Sequence, residues 1–318
     1  MMYNSRLNIL MMPNPLNILL IGGGRWAQVY IRELIAMPLD VEINLYVLSR
    51  TNADFIKLNY PNIITINEAD ILVNHKITFD LAIVSTVLKR HLSDTMLALT
   101  IASRVIIEKP CFDDPKQFTE ILSFSNQQNI NNNLIYTSCP FLFANSIYEQ
   151  ISKHSSAYLN ITCEWHEEYP HPSAYRYDDS VGLTAISHFL PVILAVLNSN
   201  YQDLSQFEVS GKQCSFAMKS GYNDLAYAVI QFSRTALKSR KTITFHCVED
   251  TINILDLMDS KLKSCGARFD LTLPCNFLLS PLQSMILSIL FANNSLNQYI
   301  RLTSLLHVSY LFDSSIFK

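Results

Sequence analysis

Glycine is scarce in this chain, with seven residues in 318, yet three of them stand together at Gly22-Gly23-Gly24. Charge is also sparse: charged residues make up 16%, the net charge is −3, and no Lys/Arg block occurs, which excludes a nucleic-acid surface. No apolar run approaches the ~18 residues that a membrane helix needs, so neither a spanning segment nor a membrane partner is expected. The seven cysteines (Cys111, Cys139, Cys163, Cys214, Cys247, Cys265 and Cys275) are odd in number, scattered, and without a Cys-x-x-Cys pair. They read as reduced thiols of a cytoplasmic protein, with neither a disulfide framework nor a zinc site. Repeats, low-complexity tracts and flexible linkers are absent as well. What is present is a hydrophobic fraction of 49%, which excludes disorder, on a length that suggests about two domains.

The glycine cluster sits at a sharp change of pattern. An apolar run through Ile18–Ile21 stops at Gly22, and Arg25-Trp26-Ala27 then opens a segment of helical spacing, with Val29, Leu34 and Ile35 on one side. Gly22-x-Gly24-x-x-Ala27 fits a dinucleotide-binding turn with alanine in the third place. Gly22 makes the turn, Gly24 lets the backbone meet a pyrophosphate, and Ala27 lets helix pack on strand. The phosphates would lie on the free N–H groups of the helix start, where the helix dipole favours negative charge. Before it, Met1–Met12 reads as a loose extension ahead of Pro13-Asn14-Pro15, with Met11 or Met12 as an alternative start.

From Leu16 to about Ile151, short β-branched runs alternate with helical stretches, the pattern of a parallel sheet with crossover helices. Strands are expected at Leu16–Ile21, Val41–Leu48, Ile63–Ile66, Leu81–Ser85, Val105–Ile107 and Leu134–Thr137, and clear helices at Ser93–Ala102 and Pro115–Gln127. Ligands of such sheets sit beyond the carboxyl ends of the strands. The second strand ends in Ser49-Arg50, where an NAD-binding protein usually carries an acid ~20 residues past the glycines. A hydroxyl followed by a guanidinium instead suits a 2′-phosphate, so NADP(H) is preferred, with NAD(H) as the alternative.

Taken in order, Gly22-x-Gly24-x-x-Ala27, Thr86 with His91 five residues on, and Glu108-Lys109-Pro110 resemble the Gfo/Idh/MocA oxidoreductase family. That family includes glucose–fructose oxidoreductase and inositol dehydrogenase. The resemblance implies an α/β chain of two parts. An N-terminal Rossmann domain, a doubly wound parallel sheet, would span residues 13–138. A C-terminal α+β domain with a mostly antiparallel open sheet would span 139–318, its last helices packing back on the first domain. It also implies cofactor contacts from Gly22, Gly24, Arg25, Trp26, Ala27, Ser49, Arg50, Ser85, Thr86, His91 and Glu108. Lys109 would stand at the nicotinamide face, where an ammonium donates to a carbonyl or imine receiving hydride. The stretch Thr137–Phe143 keeps the family's aromatic character but lacks its Asn and Arg.

The second half changes texture. Alternating runs at Tyr158–Trp165, Phe207–Ala217, Ala226–Phe232, Thr242–Val248 and Ile252–Leu257 suggest antiparallel strands. Val181–Leu190 reads as a helix carrying His188, which matches the family's catalytic histidine, while Thr184 stands where the family has aspartate one turn earlier. Threonine cannot hold charge, so Lys109 and His188 must serve with less help, which favours a reductive direction. Tyr175-Arg176, in the polar-aromatic stretch Trp165–Asp179, would reach substrate. His166 and His171 in that stretch read as an exposed polar loop, and no metal is expected. Pro281–Ala292 and Ser295–Tyr310 read as amphipathic helices.

The resulting expectation is an NADPH-preferring oxidoreductase acting on a carbonyl or secondary alcohol of a small molecule, a sugar or nucleotide sugar first. An imine reductase of the thiazolinyl imine reductase type and a non-catalytic dinucleotide-binding sensor are the alternatives. The resemblance also implies a homodimer or homotetramer.

Overall fold

The computed structural model describes residues 15–39, 42–67, 77–112, 114–154, 158–168, 181–199, 203–210, 213–219, 225–236, 238–247, 252–258, 279–291 and 294–302. The first half is a six-stranded, all-parallel sheet. Its strands are β1 (Leu16–Ile21), β2 (Ile43–Leu48), β3 (Ile64–Ile66), β4 (Leu81–Val84), β5 (Val105–Ile107) and β6 (Ile135–Thr137). Their spatial order is β3-β2-β1-β4-β5-β6. The central strands are buried nearly residue for residue, as expected when helices cover both faces. The chain runs outward from β1 through β2 to β3, then crosses back to β4, so the order reverses between β1 and β4. A crevice at such a reversal is where ligands of these sheets bind.

The crossover helices are α1 (Arg25–Ile35), α2 (Ala53–Asn59), α3 (His91–Ile101) and α4 (Pro115–Gln127). The buried stripe of α1 is Ala27, Tyr30, Ile31 and Leu34, a 3.6-residue period. Ile35, expected on that side, is instead 59% exposed, because it falls one position past the stripe. α4 starts with Pro115 in its first turn and Asp114 accepting from the Lys116 N–H, which accounts for its sharp beginning.

The second sheet is built from β7 (Tyr158–Glu168), β8 (Leu204–Ser210), β9 (Gln213–Lys219), β10 (Leu225–Ala236), β11 (Arg240–Cys247) and β12 (Ile252–Asp256). Its order is β12-β11-β7-β10-β9-β8. The pairings are antiparallel except β7 with β10, which run parallel. The sheet is thus mostly antiparallel, as expected, and at the one parallel pair a helix and the β8–β9 hairpin intervene, a connection long enough for a parallel crossover. The single strand expected at Phe207–Ala217 is this hairpin, with Ser210 opposite Gln213. His166 lies on β7 rather than in a loop, half-buried with Nδ1 3.0 Å from the Ser233 hydroxyl.

Between the halves lie α5 (Asn145–His154) and α6 (Val181–Val196), the latter carrying Pro191 within it. α6 packs on β10 and on a 3-10 turn at Pro140–Phe143. Near the C-terminus, α7 (Pro281–Phe291) is buried along its whole length, not amphipathic, because it is wedged between that turn and α1. Gln283 Nε2 donates to the Glu33 carbonyl at 3.0 Å, and the Ser280 hydroxyl donates to the Glu33 carboxylate at 2.6 Å. Where the helix expected at Ser295–Tyr310 would begin, a 3-10 turn spans Ser295–Ile300 and Arg301 bridges Tyr136 on the sheet edge. Residues 303–318 lie outside the described ones. Among the described residues no helix is long and apolar enough to cross a membrane.

Candidate active site

The three glycines play different parts. Gly22 has φ +131°, and a Cβ there would lie 2.4 Å from the Ser85 carbonyl oxygen, so only glycine lets β1 turn against the end of β4. A Cβ on Gly23 would lie 2.2 Å from Ser49 Oγ, whereas one on Gly24 would meet nothing within 4 Å. The protein itself therefore does not need glycine at position 24; open space remains there, beside the start of α1. That start has no side-chain cap, so its first-turn N–H groups face the same space. Arg25 and Trp26 are exposed at its rim, and Ala27 is buried where helix meets strand. At the end of β4, whose backbone abuts Gly22, Ser85 Oγ and Thr86 Oγ1 are buried hydroxyls with no hydrogen-bond partner. Buried hydroxyls are rarely left unpaired in native proteins, so an absent polar ligand is the natural partner.

The Ser49-Arg50 corner divides its labour. Ser49 is 3% exposed and its Oγ accepts from the Asn52 N–H at 3.1 Å, while Asn52 Nδ2 donates to the Gly23 carbonyl at 2.8 Å. The hydroxyl thus braces the glycine turn from beneath. Arg50 stays at the rim, its side chain 37% exposed, with Nη2 3.3 Å from Asp94 Oδ1. Arg90 donates to the same carboxylate from Nε and Nη2 at 3.3 and 3.2 Å. Neither Arg90 nor Asp94 stood out in the sequence; an Arg/Asp spacing of four at a helix start is too common to mark a site.

His91 also serves the scaffold. It is 3% exposed, with Nδ1 2.9 Å from the Cys111 carbonyl and Nε2 3.0 Å from the Thr86 carbonyl. The ring thus ties the loop after β4 to the loop after β5 and touches no open space. Glu108 is likewise buried at 6% exposure, receiving the Tyr30 hydroxyl at 2.6 Å and the Lys109 N–H at 3.2 Å. It is a supporting anion beneath the turn. Burial, then the negative charge of Glu108, pushes the Tyr30 phenol well above its usual range. The peptide bond between Lys109 and Pro110 is cis. Half-buried Lys109 extends to the Ser138 carbonyl, with Nζ to O 3.1 Å.

His188 approaches the same place from the other half. The Cys139 thiol, one residue beyond Lys109's anchor, donates to the His188 carbonyl at 3.6 Å, and the Cys139 N–H donates to Met285 Sδ at 3.3 Å. The His188 ring stacks on Trp165 of β7, centroids 4.3 Å apart, and Phe141 flanks it at 5.2 Å. The Trp165 indole N–H donates to the buried Glu167 carboxylate at 3.2 Å, and Lys241 Nζ lies 3.7 Å from the indole centroid. Glu167 and Lys241 escaped the sequence reading because alternation marks a face of a strand but not its cross-strand neighbours. Thr184 lies on α6 one turn before His188, but its side chain, like Tyr175, Arg176 and His171 entirely, lies outside the described residues.

A nicotinamide dinucleotide fits the residues present. The open space at Gly24, the uncapped start of α1 and the unpaired Ser85 and Thr86 hydroxyls together make a cradle for its phosphates and ribose.

No family model matches the chain, and no curated protein matches it by sequence. Solved structures do. A dehydrogenase from Chromobacterium violaceum superposes with a TM-score of 0.67 at 13% identity, covering 94% of each chain. A UDP-N-acetylglucosamine 3-dehydrogenase from Acidithiobacillus ferrooxidans gives 0.63 at 12% identity, covering 95% of this chain and 99% of that one. A Gfo/Idh/MocA family oxidoreductase from Vibrio cholerae gives 0.55 at 15% identity, over 87% and 96%. The chain thus has the two-domain fold of the Gfo/Idh/MocA-type oxidoreductases, a Rossmann domain followed by an open, mostly antiparallel sheet.

Proposed function

We propose that this protein is an NADP(H)-dependent oxidoreductase that reduces a carbonyl, or oxidises the matching secondary alcohol, of a sugar or nucleotide sugar. The observation that carries the reading is the meeting at Ser138-Cys139: Lys109 Nζ is anchored on the first residue and the His188 backbone on the second. These contacts support a shared crevice in which an ammonium and an imidazole from separate halves face one substrate. The sugar-nucleotide activity in the name of the Acidithiobacillus structure adds support for the substrate class.

Held by the glycine turn, the start of α1 and the Ser85 and Thr86 hydroxyls, a nicotinamide dinucleotide would supply or take up the hydride. Lys109 holds the reacting oxygen: one of its three N–H donors is spent on Ser138, which leaves two for substrate. As negative charge grows on that oxygen during reduction, Lys109 passes it a proton; in the reverse direction it takes the proton back. Glu108 beneath the turn accepts from the Lys109 N–H and so fixes the backbone at this position. His188 orients the neighbouring substrate hydroxyl and relays the proton, while Trp165 and Phe141 shield its ring from water.

Four described cysteines are free and buried, which supports a reducing, cytoplasmic setting. The outer face of the second sheet exposes Tyr227 and Ile254, which supports a homodimer or homotetramer formed through that face. Light scattering would give the assembly, and Tyr227→Lys should weaken it.

The test is a fluorescence titration with NADPH and NADH, followed by a turnover screen with keto sugars, nucleotide-linked keto sugars and cyclic imines. We expect NADPH to bind more tightly and at least one carbonyl to be reduced, with loss of turnover in Lys109→Met. Failure of both cofactors to bind would overturn the reading. A dinucleotide-binding sensor is the second reading, favoured by Thr184 at the position of an acid; binding without turnover across the panel, with function intact in Lys109→Met, would select it. Turnover confined to the imines would select an imine reductase.

A further inference from the structure

We propose that Arg90 is the second arm of the 2′-phosphate site, set beside Arg50 by the buried carboxylate of Asp94. The inference rests on the NADP(H) reading and adds a residue that discriminates between the two cofactors. Asp94 is 1% exposed and both its oxygens are engaged: Oδ1 by Arg50 Nη2 at 3.3 Å and Arg90 Nη2 at 3.2 Å, Oδ2 by Arg90 Nε at 3.3 Å. Asp94 lies beneath the two guanidiniums, too buried to reach a ligand itself.

Two cations sharing one anion leave a net positive charge, and both arginine side chains keep open surface, 37% for Arg50 and 43% for Arg90. Arg50 commits only Nη2 to Asp94, which leaves Nε and Nη1; Arg90 commits Nε and Nη2, which leaves Nη1. Free N–H donors from two directions and surplus positive charge suit a phosphate monoester. The pair is tied to the cofactor cradle, because Asn52, two residues past Arg50, donates to the Gly23 carbonyl. Asp94 is the positioning residue: it lets two like charges stand together before any phosphate arrives.

The experiment measures dissociation constants of NADPH, NADH, adenosine 2′,5′-bisphosphate and 5′-AMP for the wild type, Arg50→Ala, Arg90→Ala and Arg90→Lys. Losing one charge-assisted donor should raise the constants of the two 2′-phosphorylated ligands in Arg90→Ala by roughly ten- to a hundredfold. Those of NADH and 5′-AMP should hold within about threefold, and Arg90→Lys should recover part of the loss. If Arg90→Ala weakens NADPH and NADH equally, or neither while Arg50→Ala weakens NADPH, the role of Arg90 is overturned and the NADP(H) reading stands. If the wild type binds NADH as tightly as NADPH, the NADP(H) reading itself fails. Melting curves identify a variant that does not fold, in which case Arg90→Gln is judged by the same criteria.

Discussion

The His188 imidazole lies nearly parallel to the Trp165 indole, ring centroids 4.3 Å apart and planes 22° apart. Lys241, the register partner of Trp165 on β11, brings its ammonium to 3.7 Å from the same indole centroid. Two groups this close cannot share one face of a ring, so Trp165 is gripped between cation and imidazole and its N–H is tied to Glu167. The stack gives His188 a fixed platform. Trp165→Leu should therefore lower kcat about tenfold or more, the cost of a loosened catalytic group, and leave the NADPH dissociation constant within a few-fold. Equal losses in both would show that the tryptophan acts on the fold as a whole.

Lys109 can be separated from its surroundings in the same way. Lys109→Met keeps the length of the side chain and removes its donors, so turnover should fall about 10²- to 10⁴-fold while NADPH still binds. Its support can be probed through Tyr30→Phe, which takes the 2.6 Å hydroxyl donor from the Glu108 carboxylate. We expect a stability loss of about 1–3 kcal/mol in denaturant unfolding, because the anion stays buried with one donor fewer.

The glycine turn makes the sharpest distinction between fold and ligand. Gly22→Ala places a Cβ on the Ser85 carbonyl at a positive φ, and Gly23→Ala places one on Ser49, so both should be markedly destabilised. Gly24→Ala meets no protein atom within 4 Å and should melt close to wild type. That Cβ would nevertheless fill the space reserved for the pyrophosphate, so NADPH affinity should drop at least tenfold by titration. A Gly24→Ala variant that binds NADPH normally would remove the cofactor from this turn.

Alkaline pH should weaken the fold through its buried thiols. Burial pushes Cys111 and Cys214 each up to about 12 from a usual value near 9. Above pH 9 the unfolded chain loses thiol protons that the folded chain retains, so stability is intact below that pH and declines between about 9 and 12. Urea unfolding at pH 8, 9 and 10 should show the decline, with a shallower slope in Cys111→Ala. In the native protein at pH 8, Cys111, Cys139, Cys163 and Cys214 should resist thiol reagents and become reactive on unfolding.

Much of the first half could be read from the chain because its signals are local. Apolar runs such as Leu16–Ile21 and Val105–Ile107, with helical stretches such as Pro115–Gln127 between them, mark a parallel sheet, and the three adjacent glycines mark its turn. Residue type, however, does not show which way a polar group points. Ser49 and His91 carry the right chemistry for a cofactor but spend it on backbone groups of neighbouring loops. Arrangements assembled over long sequence separation were also invisible: the Arg50–Asp94–Arg90 cluster, the Trp165–Lys241 pair, and the parallel seam between β7 and β10. α7 carries no polar face for the sequence to reveal, because it is packed on every side.

The most direct test is a crystal structure of the NADPH complex with a non-reacting alcohol or keto sugar bound. We expect the nicotinamide at the carboxyl ends of β1 and β4, with Lys109 Nζ and the His188 ring both within hydrogen-bond reach of that one small molecule. A nicotinamide seated elsewhere, or two nitrogens turned toward separate regions of the crevice, would contradict the proposed chemistry.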